Sequence, residues 1–285
     1  MAVYQIKHKN KEVFLDKHLN CQVTHWNTAS RTSSPFRLIS EEPLSIRIEG
    51  NPYSVVMRTP GDEIPHIAGF CLTEGIADDP DDITSIGFCD GSDTNVVAVT
   101  LKESRREKIP RHLERRGFVS QTSCGLCGKE IVDELFQIIN PITDDRKADM
   151  KTALHSLDTL SHHQPLRRDT RAAHAAAIYS SDYTLLSVAE DVGRHNALDK
   201  AIGKLFLDRS LQNAFMLTLS SRISFELVQK AARARIPIIL AVSRPTSLAV
   251  QLATQLNMTL ACLAKGDKGL YIFCGEHRLE QGLEF

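Results

Sequence analysis

An α/β fold built around a mostly parallel central sheet is what this sequence predicts, and three observations predict it. From Thr170 onward, short apolar runs alternate with segments whose apolar residues recur at helical spacing. Such alternation implies helices crossing the faces of a parallel sheet. Before it lies a strand-rich stretch that opens at Glu42 with a hairpin signal. The chain can also bury a sizeable core: of its 285 residues, 42% are hydrophobic and 24% charged, as in ordinary globular proteins.

Residues 1–41 are rich in Ser, Thr, Asn, Lys and His and predict a loose polar arm with at most one short strand. Residues 42–121 read as a β-rich region. Within it 44–48 alternates, Gly50-Asn51 turns and 53–57 returns, the pattern of a β-hairpin. Ile64, Ile67, Ala68 and Cys71 or Leu72 share a helical face, and Gly75 stops that helix. Strands are expected at 83–88 and 96–101. Residues 122–169 hold a cysteine loop and a helical connection, with helices expected at 131–139 and 147–160. Residues 170–285 form the α/β domain, a candidate cofactor-binding unit. Its expected strands are 175–179, 183–188, 215–219, 236–242, 259–263 and 270–273; its helices are 197–206, 225–234 and 248–256.

The formal net charge is -1, which gives no electrostatic case for a nucleic-acid partner. No stretch approaches the roughly 18 apolar residues of a membrane helix. Residues 1–20 lack the apolar core of a secretory signal. A cytoplasmic protein without a membrane partner is expected. The cysteines number seven, irregularly spaced, which argues against a secreted disulfide framework. Cys21, Cys71, Cys89, Cys262 and Cys274 are scattered and read as small core or surface residues.

The strongest chemical signal is Ser123-Cys124-Gly125-Leu126-Cys127-Gly128, just ahead of an expected helix. Two thiols three positions apart at a helix start are placed where N–H groups and the dipole favour thiolate. Flanking glycines let a bulky substrate approach. Three chemistries compete: half of a zinc site, a thiol–disulfide pair and a persulfide carrier. Zinc takes about four ligands, and the sequence offers no second Cys-x-x-Cys or His-x-x-x-His pair, so no metal site is assigned. Spacing alone does not separate redox chemistry from persulfide chemistry.

The second signal runs Glu190-Asp191-Val192-Gly193-Arg194-His195-Asn196-Ala197-Leu198-Asp199-Lys200, joining a strand to a helix. Arg194, His195 and Asn196 there can donate to a phosphate or purine at a helix N-terminus; the bland alternative is a cap on a solvated helix start. The third comprises Ser220-Ser221-Arg222-Ile223-Ser224 and Ser243-Arg244-Pro245-Thr246-Ser247, again between strand and helix. Three polar turns at one edge of a parallel sheet imply a large anionic ligand, with Arg222 and Arg244 suited to phosphate. Arg105, Arg106, Lys108, Arg111, Arg115 and Arg116 precede the cysteines as either an anion-attracting patch or a solvated face. His174 is either a ligand contact or a core histidine.

Together these residues resemble the formate dehydrogenase accessory sulfurtransferase family over roughly residues 42–273. The resemblance rests on Glu42-Pro43-Leu44, Arg58-Thr59-Pro60-Gly61-Asp62, Gly69-Phe70 with Thr73-Glu74-Gly75-Ile76, the Cys-Gly-Leu-Cys-Gly loop, the 191–200 segment and Pro245-Thr246-Ser247. It implies a cytidine-deaminase-like mixed or parallel sheet with flanking helices, a smaller N-terminal hairpin region, and a homodimer. It further implies that Cys124 and Cys127 carry persulfide sulfur from a PLP-dependent cysteine desulfurase. The recipient would be the molybdenum or tungsten bis-pterin guanine dinucleotide of a formate dehydrogenase or related molybdoenzyme, with GDP as an analogue. It adds Cys262, Leu263, Ala264, Lys265, Gly266 and Asp267 to the cofactor-binding set of Arg194, His195, Asn196, Arg222 and Arg244. The sequence departs from the family pattern at Thr170-Arg171-Ala172-Ala173-His174, at Ser221 and across 261–267, where family glycines and arginines are replaced. Zinc deaminases need a His-x-Glu ahead of Pro-Cys-x-x-Cys; here position 176 is Ala and position 123 is Ser, so deaminase activity is not expected.

Overall fold

The computed structural model describes residues 17–90, 93–107, 139–264, 266 and 269–281. Strands β1 (His18–Trp26) and β2 (Arg31–Ile39) pair antiparallel as a separate ribbon. This corrects the expectation of a loose arm: the segment is polar, but Leu19, Val23, Phe36 and Leu38 share one face of the ribbon, too sparse an alternation to read from composition.

Strands β3 (Glu42–Ile48), β4 (Asn51–Arg58), β5 (Ile83–Asp90) and β6 (Asp93–Leu101) form a four-stranded sheet in the order β4-β3-β6-β5. The β3–β4 hairpin turns on Glu49 and Gly50, both at positive φ, the two-residue geometry that suits the right-handed strand twist. Helix α1 (Glu63–Thr73) follows, and Gly75 at φ 74 ends it.

After α2 (Glu103–Arg106), the two-residue strand β7 (Ala148–Asp149) and helices α3 (Met150–Asp158) and α4 (Pro165–Thr170) lead into the main sheet. That sheet comprises β8 (His174–Tyr179), β9 (Leu185–Asp191), β10 (Met216–Leu219), β11 (Ile238–Ala241), β12 (Thr259–Ala264) and β13 (Gly269–Cys274), in the order β13-β12-β11-β10-β8-β9. Helices α5 (Arg194–Leu207), α6 (Phe225–Arg233) and α7 (Ser247–Gln255) are interleaved with them. The sheet is parallel only across β10, β11 and β12, so the expectation of a mostly parallel sheet is corrected to a mixed one. The reason is local. The β8–β9 and β12–β13 connections span only five and four residues, and a parallel return needs a crossover of about a dozen residues.

Alternation sorts the strand residues between two cores. Ile178, Leu217, Ile239 and Leu260 face one way, together with Leu198, Ile202, Leu227 and Leu252 of the helices and Leu44, Ile46, Val97 and Val99 of the smaller sheet. Ala177, Met216, Ile238, Leu240 and Ala261 face the other way, against Leu157 of α3 and Leu160. The helices end on left-handed residues (Arg171 after α4, Arg209 near α5, Arg235 near α6, Asn257 near α7), the usual device for closing a last turn.

The two sheets meet where α1 crosses α5 at Gly69 and Gly203. A Cβ on Gly203 would stand 1.7 Å from the Pro65 carbonyl oxygen, and one on Gly69 would stand 1.9 Å from that of Asp199. Only glycine permits this backbone-on-backbone approach.

Candidate functional site

Sheet register places the polar turns together. β10, β11 and β12 run side by side, with Leu219 opposite Ala241 and Ala241 opposite Cys262. The antiparallel neighbours bring their complementary ends to the same edge: Leu219 pairs with Ala176, His174 with Asp191, and Ala264 with Gly269. His174, the turn after β9, the turn after β10 and the turn after β11 therefore share one edge of the sheet. The loops bond to each other as well: Thr246 N–H donates to the Ile223 carbonyl at 3.0 Å.

Asp191, at the end of β9, is fully buried and organises this edge. Its Oδ2 lies 2.7 Å from Lys200 Nζ and accepts from Thr59 N–H at 3.0 Å. Its Oδ1 accepts from Gly193 N–H at 2.8 Å and from the Asn196 amide at 3.0 Å. Lys200 also donates to the Thr59 carbonyl at 2.7 Å, and Asn196 to the Met57 carbonyl at 2.7 Å. The 191–200 segment thus grips the Arg58-Thr59-Pro60-Gly61-Asp62 segment of the other sheet. The amide nitrogen of Asn196 is committed to this joint, so Asn196 shapes the turn from beneath. A second buried knot lies one turn along α5: Lys230 Nζ is 2.9 Å from Asp199 and donates to Thr73 at 3.0 Å and to Glu74 at 3.2 Å.

The upper surface of the edge carries Arg194, His195, Arg222 and Arg244. His195 Nε2 lies 3.0 Å from Glu226 and 3.3 Å from the Ser224 hydroxyl. The hydrogen bond from His195 is the main reason the Glu226 carboxyl sits below its usual range. His174 is pushed below its ordinary pKa by burial first, then by the charges of Arg194, Arg167 and His195. Two buried polar atoms here, His174 Nδ1 and Arg194 Nε, have no hydrogen-bond partner. Helices α5 and α6 begin at this edge at Gly193 and Ser224 without a side-chain cap, leaving N–H groups available. Arg222 and Arg244 are exposed.

The segment carried by resemblance divides. Cys262 and Ala264 are buried strand residues, and burial pushes the Cys262 thiol up against a smaller downward pull from Arg244. Leu263 is half-buried and lines an open cleft of about 330 Å³ with Val242, Ser243, Arg244 and Tyr271. Gly266 is exposed in the turn that follows. Lys265 and Asp267 lie outside the described residues. Ser224, part of the second polar turn, lies here as expected; Tyr271 and Glu226 belong to these surroundings and escaped sequence reasoning, the acidic first turn of α6 being the available signal for Glu226.

Cys124 and Cys127 also lie outside the described residues, as do Lys108, Arg111, Arg115 and Arg116. The chain on either side of 108–138 is anchored at the opposite edge of the main sheet. Arg105 pairs with Asp78 at 2.6 Å, and Arg233 at the end of α6 bonds the same carboxylate at 2.5 Å. Arg235 donates to the Asn140 and Pro141 carbonyls, and Ile142 N–H to the Leu256 carbonyl. Arg105 and Arg106 are therefore structural: Arg106 donates to the Leu101 carbonyl and lies 3.2 Å from Glu49. Elsewhere, burial pushes the Cys71 thiol up to about 12, which removes it as a nucleophile. Among the described residues, no helix is long and apolar enough to cross a membrane.

This architecture has known counterparts. A solved structure from Desulfotalea psychrophila, provisionally described as a formate dehydrogenase accessory protein, superposes with a TM-score of 0.73, covering 92% of this chain and 99% of that one at 22% identity. That likeness speaks to the fold. Sulfur carrier protein FdhD of Streptomyces coelicolor is 39% identical over 262 residues, covering 87% of this chain and 90% of that protein. The protein of the same description from Mycobacterium tuberculosis is 38% identical over 258 residues, covering 86% and 93%. The model of the FdhD/NarQ family matches residues 39–280, taking in both sheets and the joint between them. The chain belongs to the FdhD/NarQ family.

Proposed function

We propose that this chain is a sulfur carrier in the maturation of a formate dehydrogenase or related molybdoenzyme. In this reading the Cys124 thiolate attacks the outer sulfur of a cysteine desulfurase persulfide. The desulfurase leaves as thiolate and Cys124 holds the new persulfide. Attack by the Cys127 thiolate on the inner sulfur then closes a Cys124–Cys127 disulfide and releases hydrosulfide, so the two electrons come from the pair itself. The recipient is a molybdenum or tungsten bis-pterin guanine dinucleotide, bound as substrate at the strand-end edge. The finer expectations of a cytidine-deaminase-like fold, a homodimer and a cytoplasmic location belong to the same proposal.

The observation that carries this reading is the convergence of Arg194, His195, Arg222 and Arg244 on one sheet edge, in a chain of this family with its Cys-Gly-Leu-Cys-Gly loop intact. The edge fits a phosphate-bearing group: His174 Nδ1 and Arg194 Nε are buried polar atoms without partners, and orphaned groups of that kind are uncommon unless something satisfies them. The family glycine positions occupied by Arg171 and Ala172 carry side chains exposed to solvent, and the Ser221 hydroxyl is turned onto the Arg222 carbonyl at 3.0 Å.

Mass spectrometry after incubation with a cysteine desulfurase and cysteine tests the proposal. The expected result is a gain of one sulfur on the 124–128 loop, kept in Cys127→Ala and lost in Cys124→Ala. No gain in Cys127→Ala, which cannot discharge the persulfide, would leave a cofactor-holding chaperone; a Cys124–Cys127 disulfide formed in the intact chain without desulfurase and cysteine would leave a redox pair.

A further inference from the structure

Tyr271 stands on β13, at the outer edge of the main sheet, and is 46% exposed. The Arg244 guanidinium lies over the ring, its Cζ 5.8 Å from the centroid, within cation–π range. Arg244 comes from the turn after β11, and Leu263 from β12 lines the same cleft with Val242 and Ser243. The cleft therefore brings two apolar side chains, Val242 and Leu263, together with Ser243 and the guanidinium–aromatic pair. Its volume of about 330 Å³ falls at the small end of the roughly 300–1,000 Å³ of ligand pockets. Cys262, paired with Tyr271 across the strands, is fully buried.

A guanidinium alone would serve a phosphate. A guanidinium held over an exposed aromatic face also offers a planar surface to a heterocycle, which stacks on aromatic rings and on arginine alike. We propose that Arg244 and Tyr271 form the stacking platform for a planar heterocycle of the ligand, with Tyr271 a specificity-determining residue that favours nucleotide over bare phosphate. This role rests on the nucleotide-cofactor reading of the edge.

Calorimetry of the full chain with GDP and with inorganic pyrophosphate, in the native protein, Tyr271→Phe and Tyr271→Leu, tests it. GDP binding is expected to weaken about tenfold in Tyr271→Leu, towards the lower part of what base stacking supplies. It should stay within about twofold in Tyr271→Phe, which keeps the ring face, and the pyrophosphate titration should be the same in all three. Unchanged GDP affinity in Tyr271→Leu overturns the platform. So does an equal loss for GDP and pyrophosphate, which would reduce Tyr271 to a prop for Arg244. A native chain that takes up no GDP defeats the nucleotide reading itself, an outcome distinct from a variant that binds as tightly as the native protein.

Discussion

Lys200 and Asp191 form an ion pair at 2.7 Å with both side chains almost wholly shut off from water, 1% and 0% exposed. The pair joins the helix after β9 to the strand it leaves, and through Thr59 it ties the smaller sheet to the larger. Lys200→Met leaves Asp191 buried without its cation. A loss of about 3–5 kcal/mol is expected in urea denaturation, the usual cost of breaking a buried pair. The Asp191→Asn, Lys200→Met double variant should lose less than the two single losses combined, because neither charge is then stranded.

The crossing of α1 and α5 makes a sharper prediction. Gly203→Ala sets a methyl against the Pro65 carbonyl, and the backbone there has nowhere to go. The expected loss is about 3 kcal/mol or more, at or beyond the upper part of the range for overpacking. Gly50→Ala is the contrast. Nothing lies within 4 Å of its Cβ position, and only φ 77 opposes it, so about 1 kcal/mol should be lost. Equal losses in the two variants would refute the close crossing.

His66 in α1 is fully buried, and its ring nitrogens have no well-formed hydrogen bond, only a weak one to the Asn196 side chain. Burial, then the charges of Lys200, Lys230 and Arg58, hold it well below its ordinary pKa of 6.5. It is neutral in the fold and takes up a proton on unfolding below pH 6.5. Its share of stability is therefore complete above that pH and declines as pH falls below it, by up to about 1.4 kcal/mol per unit. His66→Leu should flatten the slope of unfolding free energy against pH just below 6.5. An unchanged slope would show that other groups set the acid limit.

Arg171 closes α4 at φ 60, in the left-handed region that favours glycine. Arg171→Gly should raise stability by about 1 kcal/mol, relief of left-handed strain outweighing glycine's entropy cost. No gain in thermal melts would mean that the arginine side chain makes compensating contacts.

Arg222 is exposed at the strand-end edge. If it holds a phosphate by charge-assisted hydrogen bonds, Arg222→Ala should weaken GDP binding by about 1.5–3 kcal/mol in calorimetry. The effect should shrink at high salt as exposed charges are screened.

Much of the α/β region was legible because its strands are apolar on both faces and its helices repeat on one. The turns at Arg194, Arg222 and Arg244 could be placed on a common edge once strand and helix were seen to alternate. Strand direction at β8, β9 and β13 was not legible, since it depends on turn length rather than residue pattern. Nor were the roles of Asp191, Asn196 and Lys200: buried polar residues that serve the backbone look, in sequence, like residues that serve a ligand. Tyr271 was hidden for the opposite reason, as an aromatic residue in a strand is unremarkable until its ring is found open beside Arg244.

Because α1 and α5 touch through bare backbone at Gly69 and Gly203, the two sheets have no compliant layer of side chains between them at that point. Such a contact works as a weld rather than a bearing. A disturbance felt at Thr59 or Asn196 is passed to the far sheet without slack, and opening of one layer should carry the other with it. Hydrogen exchange should then find the buried amides of β3 and of β10 released together, in a single cooperative event.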